Sequence, residues 1–263
     1  MKRPLYLTAI AAVLFALSSC LPQDSEQMVD KGISQDVLKQ IEHLGFSTEN
    51  VAKLDDGYLV EGDILLTEED LQGDAHRTEL VIAQEEQYHT FNLVTGLPRV
   101  IKVRTTSANT KLSQAIDAAI ARYNAENLSL TFLRVTTTDQ DILIQEVNTN
   151  QFIASAGFPS GGNPFGTISY SRRYLGNAYN LNFVTTVVAH EMGHCIGFRH
   201  TDYMNRSYSC GTGGNEGAGT VGAVHIPGTP TGPDPNSWML ACLSATTNRP
   251  FNANDKIALD YLY

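Results

Sequence analysis

HEMGHCIGFRH, residues 190–200, sets three histidines, Glu191 and Gly197 at a spacing that decides how the rest of the chain is read. Positions four apart on a helix lie one turn from each other on the same face, so His190 and His194 can aim imidazole nitrogens at one point. Continuing the helix would swing the next side chains away from that face. Gly197 supplies the break, because glycine enters the left-handed region at little steric cost and commonly stands just past a helix end, which lets the chain return with His200. Three histidines converging in this way leave the fourth position of a tetrahedral zinc open, the arrangement of a catalytic rather than a structural site. Glu191 lies beside a ligand but points off the ligand face, where it can take a proton from water acidified by the metal. With 21 Gly and 7 His in 263 residues, finding Gly and His at the two positions beyond HExxH has a chance probability of about one in five hundred. A buried helix with satisfied core histidines is the weaker reading.

The flanking sequence reads as a mixed α/β fold. Phe183, Val184, Val187 and Val188 recur at spacings of three and four, an apolar stripe that ends at the histidines, with Asn182 as its N-cap. Val100 to Arg104 alternates as a short strand, and Leu112, Ile116, Ala119, Ile120 and Tyr123 follow at helical spacing. Leu128 to Val135 and Asp141 to Val147 are rich in β-branched and aliphatic residues, and the helix before them suits a βαβ crossover onto a parallel sheet. Phe152 to Phe158 and Gly166 to Ser171 form a hairpin-like pair around the turn signal Pro159-Ser160-Gly161-Gly162-Asn163-Pro164.

HExxHxxGxxH followed by a methionine in Ser237-Trp238-Met239 resembles the signature of the metzincin zinc endopeptidases. Within that group the chain is most similar to the bacterial dual-action HEIGH metallopeptidases, on HE-x-GHCIGFRHTD through the third histidine, with Met192 at the variable position, and on the loop His225 to Pro230. The resemblance covers residues 98 to 263. It implies an α/β (α+β) metzincin-like catalytic domain: a twisted, mostly parallel sheet with one antiparallel edge strand, a long active-site helix, and a closing helix over Asn254 to Tyr263. It also implies one catalytic Zn²⁺ held by His190, His194 and His200, with Glu191 as general base and Gly197 at the turn. Met239 would sit in a tight turn beneath the histidines, and the edge strand would pair with extended protein or peptide substrates through main-chain hydrogen bonds. One departure stands out: some relatives carry a tyrosine two residues after the turn methionine to stabilise the tetrahedral intermediate, and here Ala241 occupies that place. Tyr203 and Tyr208 lie nearby and read as loop packing residues.

The N-terminal third has a different character. Lys2 and Arg3 precede an apolar run from about Leu5 to Leu17, too short to span a bilayer, and Leu17-Ser18-Ser19-Cys20 resembles a bacterial lipobox. Residues 1–19 are thus expected to be a signal peptide of lipoprotein type, with Cys20 lipidated as the mature N-terminus. The expected location is the cell envelope or surface, with a membrane contact through the lipid, or release outside. Residues 21–87 hold four basic and seventeen acidic groups, whereas 88–263 hold twelve and eleven, so the net charge of −10 is concentrated in the N-terminal part. That contrast separates an acidic region over 20–90 from a catalytic domain over 91–263. The acidic region is not featureless: Ile33, Val37, Leu38, Ile41 and Leu44 make a helical stripe, while Tyr58-Leu59-Val60 and Ile64-Leu65-Leu66 read as strands. It is either a pro-like segment that places a carboxylate or histidine near the zinc, or a spacer or accessory domain.

Lipidation at Cys20 would leave Cys195, Cys210 and Cys242, an odd number that fits one disulfide and one free thiol with the pairing open. Cys195 would point about 100° away from the ligand face and is a poor fourth ligand. The Gly- and Pro-rich stretch from Cys210 to Ser237 is expected to wall the primed side of the substrate cleft, with His225 a loop residue rather than a ligand. Nothing in the charge pattern fits nucleic-acid binding, and the expected state is a monomer. The competing function is a surface lipoprotein that uses a zinc-stabilised fold for binding or adhesion without cleavage.

Overall fold

The computed structural model describes residues 32–72, 87–214, 217–230 and 232–263; the expected signal peptide and Cys20 lie outside them. The acidic region opens with α1 (Gln35–His43), started by Ser34, whose side chain accepts from Val37 N. Strands β1 (Ala52–Leu54), β2 (Gly57–Val60) and β3 (Ile64–Leu66) follow as an antiparallel sheet in sequence order, and α2 (Glu68–Gln72) closes the unit. Ile41, Phe46, Val60, Ile64 and Leu66 form a small core of their own, against which Phe158 and Val221 pack from the rest of the chain.

The larger unit is the expected α/β architecture. After β4 (Tyr88–His89), β5 (Arg99–Thr105) leads through α3 (Thr110–Asn124) to β6 (Leu130–Arg134), a βαβ crossover, and β7 (Ile142–Val147), β8 (Ala154–Ser155) and β9 (Thr167–Ser171) complete a sheet of order β6-β5-β7-β9-β8. All neighbours are parallel except β8, which runs antiparallel to β9 at the edge. Period-two alternation fixes which face is covered. Ile101, Val103, Phe132, Ile144 and Ile168 point into the core, while Val100 and Leu133 stand on the outer face.

Helix α4 (Leu181–Cys195) packs on α3 and shares one core with the covered face of the sheet. It is buried from Phe183 onward, so its apolar stripe is a fully enclosed helix rather than a surface one. The chain ends through α5 (Ser207–Cys210), β10 (Val224–His225), which pairs with β4, and α6 (Ala253–Leu262), which starts with a reciprocal Asn252–Asp255 capping box. Among the described residues no helix is long and apolar enough to cross a membrane.

Candidate metal centre

Helix α4 is started by Asn180, whose side chain accepts from Phe183 N at 2.9 Å. Asn182, the expected cap, is an exposed residue of the first turn instead. Both asparagines are chemically able to cap; the apolar stripe begins at Phe183, three residues after Asn180, which is the reach of a capping oxygen. At the other end Gly197 has φ +109, Gly197 N donates to His194 O at 2.9 Å and Phe198 N to Gly193 O at 3.0 Å. These are the two bonds of a Schellman motif, and they turn the chain back toward the helix. A Cβ on Gly197 would also meet Asn92 O at 2.9 Å, so conformation and space both require glycine there.

That reversal brings His200 to His190 and His194. Their Nε2 atoms lie 3.0, 3.2 and 3.3 Å from one another. Each outer nitrogen is held: His190 Nδ1 to Trp238 O at 2.7 Å, His194 Nδ1 to Phe198 O at 2.8 Å and His200 Nδ1 to a Glu61 carboxylate oxygen at 3.1 Å. Carbonyl oxygens only accept, so His190 and His194 carry their hydrogens on Nδ1 and present bare Nε2 lone pairs to the common point. Bare lone pairs this close repel unless a cation lies between them. Zinc–nitrogen bonds of about 2.0–2.1 Å in a tetrahedron set the donors roughly 3.3 Å apart, so the donor set fits zinc in type and in spacing.

A fourth donor comes from the acidic region. Asp63 Oδ2 lies 3.1 Å from His200 Nε2 and 3.4 Å from His190 Nε2, and one donor atom from each of Asp63, His190, His194 and His200 falls within 4.8 Å of all the others. Glu61, two residues earlier, reaches Arg199 at 3.4 Å as well as His200, with both side chains fully buried. The guanidinium of Arg199 lies over the rings of Phe46 and Tyr203 and donates to Gly222 O at 3.3 Å. Glu61 has φ +56 and Gly62 φ +91. A left-handed turn that admits glycine without cost is thus held at a glutamate too, and Arg206 fastens it by donating to Glu61 O. Sequence reading left open whether this region reaches the zinc, and it singled out neither Glu61 nor Asp63. The available signal was the pair of carboxylates at the tip of a two-strand pattern.

The charges follow from this enclosure. Burial pushes the Glu191 carboxyl well up, and nearby Asp63 adds to the shift. Burial drives His194 down, reinforced by the two other histidines. For His200 burial also pushes down, but Asp63 and Glu61 outweigh it and hold the imidazole up at about 9. Burial would raise Asp63, yet His200 and His190 keep it well below the ordinary carboxylate range.

Glu191 and His190 line a cavity of about 280 Å³ whose apolar wall includes Phe152, Ile153, Tyr174, Val187 and Leu243. Glu191 Oε2 is buried and makes no hydrogen bond among the described residues. A carboxylate in that setting, beside the converging nitrogens, is placed to accept a proton from a molecule entering the cavity.

Met239 packs against the helix at Gly193, where an added Cβ would stand 2.6 Å from its sulfur. The turn around it is fastened from several sides. Thr201 N donates to Met239 O at 2.9 Å and Met239 N to Ser237 Oγ at 3.1 Å, while Asp255 accepts from Trp238 N and from Gln87. Cys210 and Cys242 form the disulfide, and Cys195 is a buried free thiol outside the donor cluster. His225 bonds Thr229 and likewise stays outside the cluster. Tyr203 stacks edge-on against Tyr88, and Tyr208 is exposed.

The expectation that the stretch from Cys210 to Ser237 walls the cleft is corrected. Its described residues pack on the end of α1, where Gly219 and Gly45 meet backbone to backbone and Thr220 N donates to His43 O, and they pair with β4 through β10. The cavity wall on that side comes from Ala241, Cys242 and Leu243, just past the methionine turn.

Compared with known families, residues 58–263 match the dual-action HEIGH metallo-peptidases, a span that takes in Glu61 and Asp63. A comparison with curated proteins gave no match. Among solved structures, one of myroilysin is 14% identical with a TM-score of 0.46, covering 65% of this chain and 96% of that one. A second, a crystal structure of myroilysin, is 16% identical with a TM-score of 0.42 and covers 64% and 86%.

Proposed function

The chain belongs to the dual-action HEIGH metallo-peptidases, and on that premise we propose that it is an exported zinc endopeptidase of metzincin type whose general base is Glu191. The observation that carries the reading is the convergence of three Nε2 atoms within 3.3 Å of one another beside a buried carboxylate at an apolar cavity. His190, His194 and His200 would hold one zinc ion, which when bound supplies Lewis acidity that acidifies water and polarises a peptide carbonyl. Trp238 O and Phe198 O orient two of the imidazoles, and Met239 packs beside the first pair at Gly193. Glu191 takes the proton from the attacking water and returns it to the departing amine. Its pKa is raised by burial, and a base so shifted also serves as the acid that protonates the amine. The cavity beside Glu191 accepts a substrate side chain, and the β8 edge offers main-chain groups to an extended peptide.

Export is supported by the basic start, apolar run and Leu17-Ser18-Ser19-Cys20, and by a disulfide, which persists in oxidising compartments. Mass analysis of the membrane-associated protein tests it: a diacylated N-terminal Cys20 is expected, and an unprocessed Met1 would refute it. The catalytic assignment is tested with Glu191→Gln and a denatured protein substrate, parent and variant both carrying Asp63→Ala so that the fourth protein donor is gone. The variant should keep zinc and lose turnover by about two to four orders of magnitude. Near-full activity would remove Glu191 from the mechanism. Zinc-loaded protein freed of Asp63 and still unable to cleave would favour a binding or adhesion role.

A further inference from the structure

We propose that Asp202 is a positioning residue for substrate selection: it holds the main chain of Ala241 and Cys242 as a wall of the cavity beside Glu191, and the cavity so shaped selects an apolar substrate side chain. The proposal rests on reading the three-histidine site as that of a peptidase, and it specifies what keeps one side of its cleft in shape.

The first observation is that this wall is shared by two cavities. Ala241, Cys242 and Leu243 line the cavity of about 280 Å³ together with Phe152, Tyr174 and Val187, an apolar surround that favours an uncharged side chain. Cys242 and Leu243 also line a second cavity of about 590 Å³, with Ser209, Cys210 and Arg249. Interdigitating side chains are what make a core rigid, and a segment bordered by two spaces has fewer of them. Its place then depends on what holds its backbone.

The second observation is where those backbone bonds lead. The Asp202 side chain is fully buried, and burying a carboxylate is costly unless its oxygens are hydrogen-bonded. Oδ1 accepts from Ala241 N at 3.0 Å, and Oδ2 accepts from Ser209 Oγ. The same Ser209 oxygen accepts from Cys242 N at 3.0 Å, so the carboxylate reaches the second wall residue through one hydroxyl. Bonds to an ionised acceptor are stronger than neutral ones, which suits a wall with little packing behind it. Arg249 donates to Cys242 O at 3.1 Å, and the disulfide ties Cys242 to Cys210, the residue after Ser209.

The third observation links the wall to the metal ligands. Asp202 stands two residues after His200, and between them Thr201 N donates to Met239 O at 2.9 Å. Residues 201 and 202 thus fasten Met239 and Ala241 in turn, so the third histidine, the methionine turn and the cavity wall share one frame. A side chain entering the cavity meets a wall whose distance from the converging nitrogens is set by that frame. Ala241 takes part through its main-chain N–H and offers the cavity no more than a methyl group.

The test uses the full zinc-loaded chain carrying Asp63→Ala, so that the fourth protein donor is gone, alone and with Asp202→Ala or Asp202→Asn. The probes are acetohydroxamate and two peptidyl hydroxamates that differ only in the side chain offered to the cavity, methyl or benzyl. Burial of the larger group should make the benzyl probe bind about hundredfold tighter than the methyl probe in the parent. A wall that withdraws by roughly 0.5–1 Å forfeits up to half of its contact, so Asp202→Ala should cut that ratio to about tenfold. Acetohydroxamate, which reaches only the metal, should bind with unchanged affinity. Asp202→Asn keeps an acceptor for Ala241 N and should hold the ratio within about threefold of the parent. Should Asp202→Ala impair folding, Ser209→Ala carries the test: it removes the link to Cys242 N and should lower the ratio by about threefold. A parent that does not distinguish the two side chains, or a ratio that neither Asp202→Ala nor Ser209→Ala changes, would overturn the proposal. Equal weakening of all three probes would overturn it too, because that is general damage to the metal site. Probe binding needs no catalysis, so the expected ratios without cleavage of a denatured protein substrate would uphold the role of Asp202 and overturn the peptidase reading.

Discussion

Gly193→Ala sets helix propensity against packing, and the structure decides which wins. Gly193 lies inside α4, where alanine is favoured over glycine by about 1 kcal/mol. The added methyl would stand 2.6 Å from Met239 Sδ and 3.1 Å from Trp238 Nε1. Non-bonded heavy atoms settle at roughly 3.5–4.0 Å, so the sulfur must retreat by about 1 Å. The methionine cannot yield freely, since its side chain is fully buried in the shared core while Thr201 N and Ser237 Oγ pin its backbone. Forcing a methyl into such a core costs about 1–3 kcal/mol, and where the turn is pinned the upper half applies, leaving a net loss of about 1–2 kcal/mol. For a chain of this size that lowers the melting temperature by roughly 3–6 °C. The methyl also crowds the ring of Trp238, whose carbonyl accepts from His190 Nδ1, so zinc affinity should fall by about tenfold. Thermal unfolding of the zinc-loaded protein and competition with a chromophoric chelator measure both effects. Combining Gly193→Ala with Met239→Ala should recover at least about 1 kcal/mol of the Gly193→Ala penalty, a coupling that only direct contact produces. A melting temperature raised by Gly193→Ala, with zinc affinity unchanged, would refute the claim that Met239 is packed against the ligand helix.

Three further outcomes follow from the geometry. His200→Ala should weaken zinc binding by more than about hundredfold, because it removes a donor and leaves Glu61 facing a cavity; unchanged stoichiometry and affinity in metal analysis would remove His200 from the site. Replacing Cys210 and Cys242 together by serine opens a loop of sequence separation 32 and should lower stability by about 3–4 kcal/mol in denaturant unfolding, and no loss would show that the cavity wall at Cys242 needs no staple. Burial pushes Asp255 up to about 6 from 3.8, so its folded form binds protons more tightly than the unfolded chain, and stability falls as pH rises between those values by about 3 kcal/mol. The difference in unfolding free energy between wild type and Asp255→Asn should therefore widen in favour of wild type from pH 6 to pH 4, and a pH-independent difference would contradict the buried, raised carboxyl.

How much of this was legible before folding depends on the range of the interactions involved. The ligand helix, the turn at Gly197 and the return of His200 are encoded within eleven residues, where helical period and the left-handed tolerance of glycine act locally. The strands of the large sheet were legible for the same reason, since alternation at Ile101, Val103, Ile142 and Ile144 requires only that one face be covered. The cap was misread by two residues because Asn180 and Asn182 are equally good acceptors, and only the path of the chain selects one. The hairpin strands of the acidic region were readable, but its destination was not: Glu61 and Asp63 meet His200 across sequence separations of 139 and 137, and no periodicity encodes a contact of that range. The long loop was assigned to the wrong surface for a related reason. Its glycines permit a close backbone approach without specifying a partner, and Gly219 finds Gly45 beside α1 rather than the cleft. What selects these distant partners is burial of charge. Arg199 is fully buried and is the neighbour of a ligand, so it requires an anion from elsewhere in the chain. Glu61 answers that need, and its place two residues before Asp63 then carries the second carboxylate to the three histidines. A buried arginine next to the third histidine thus determines where the acidic region docks, which a motif read alone does not disclose.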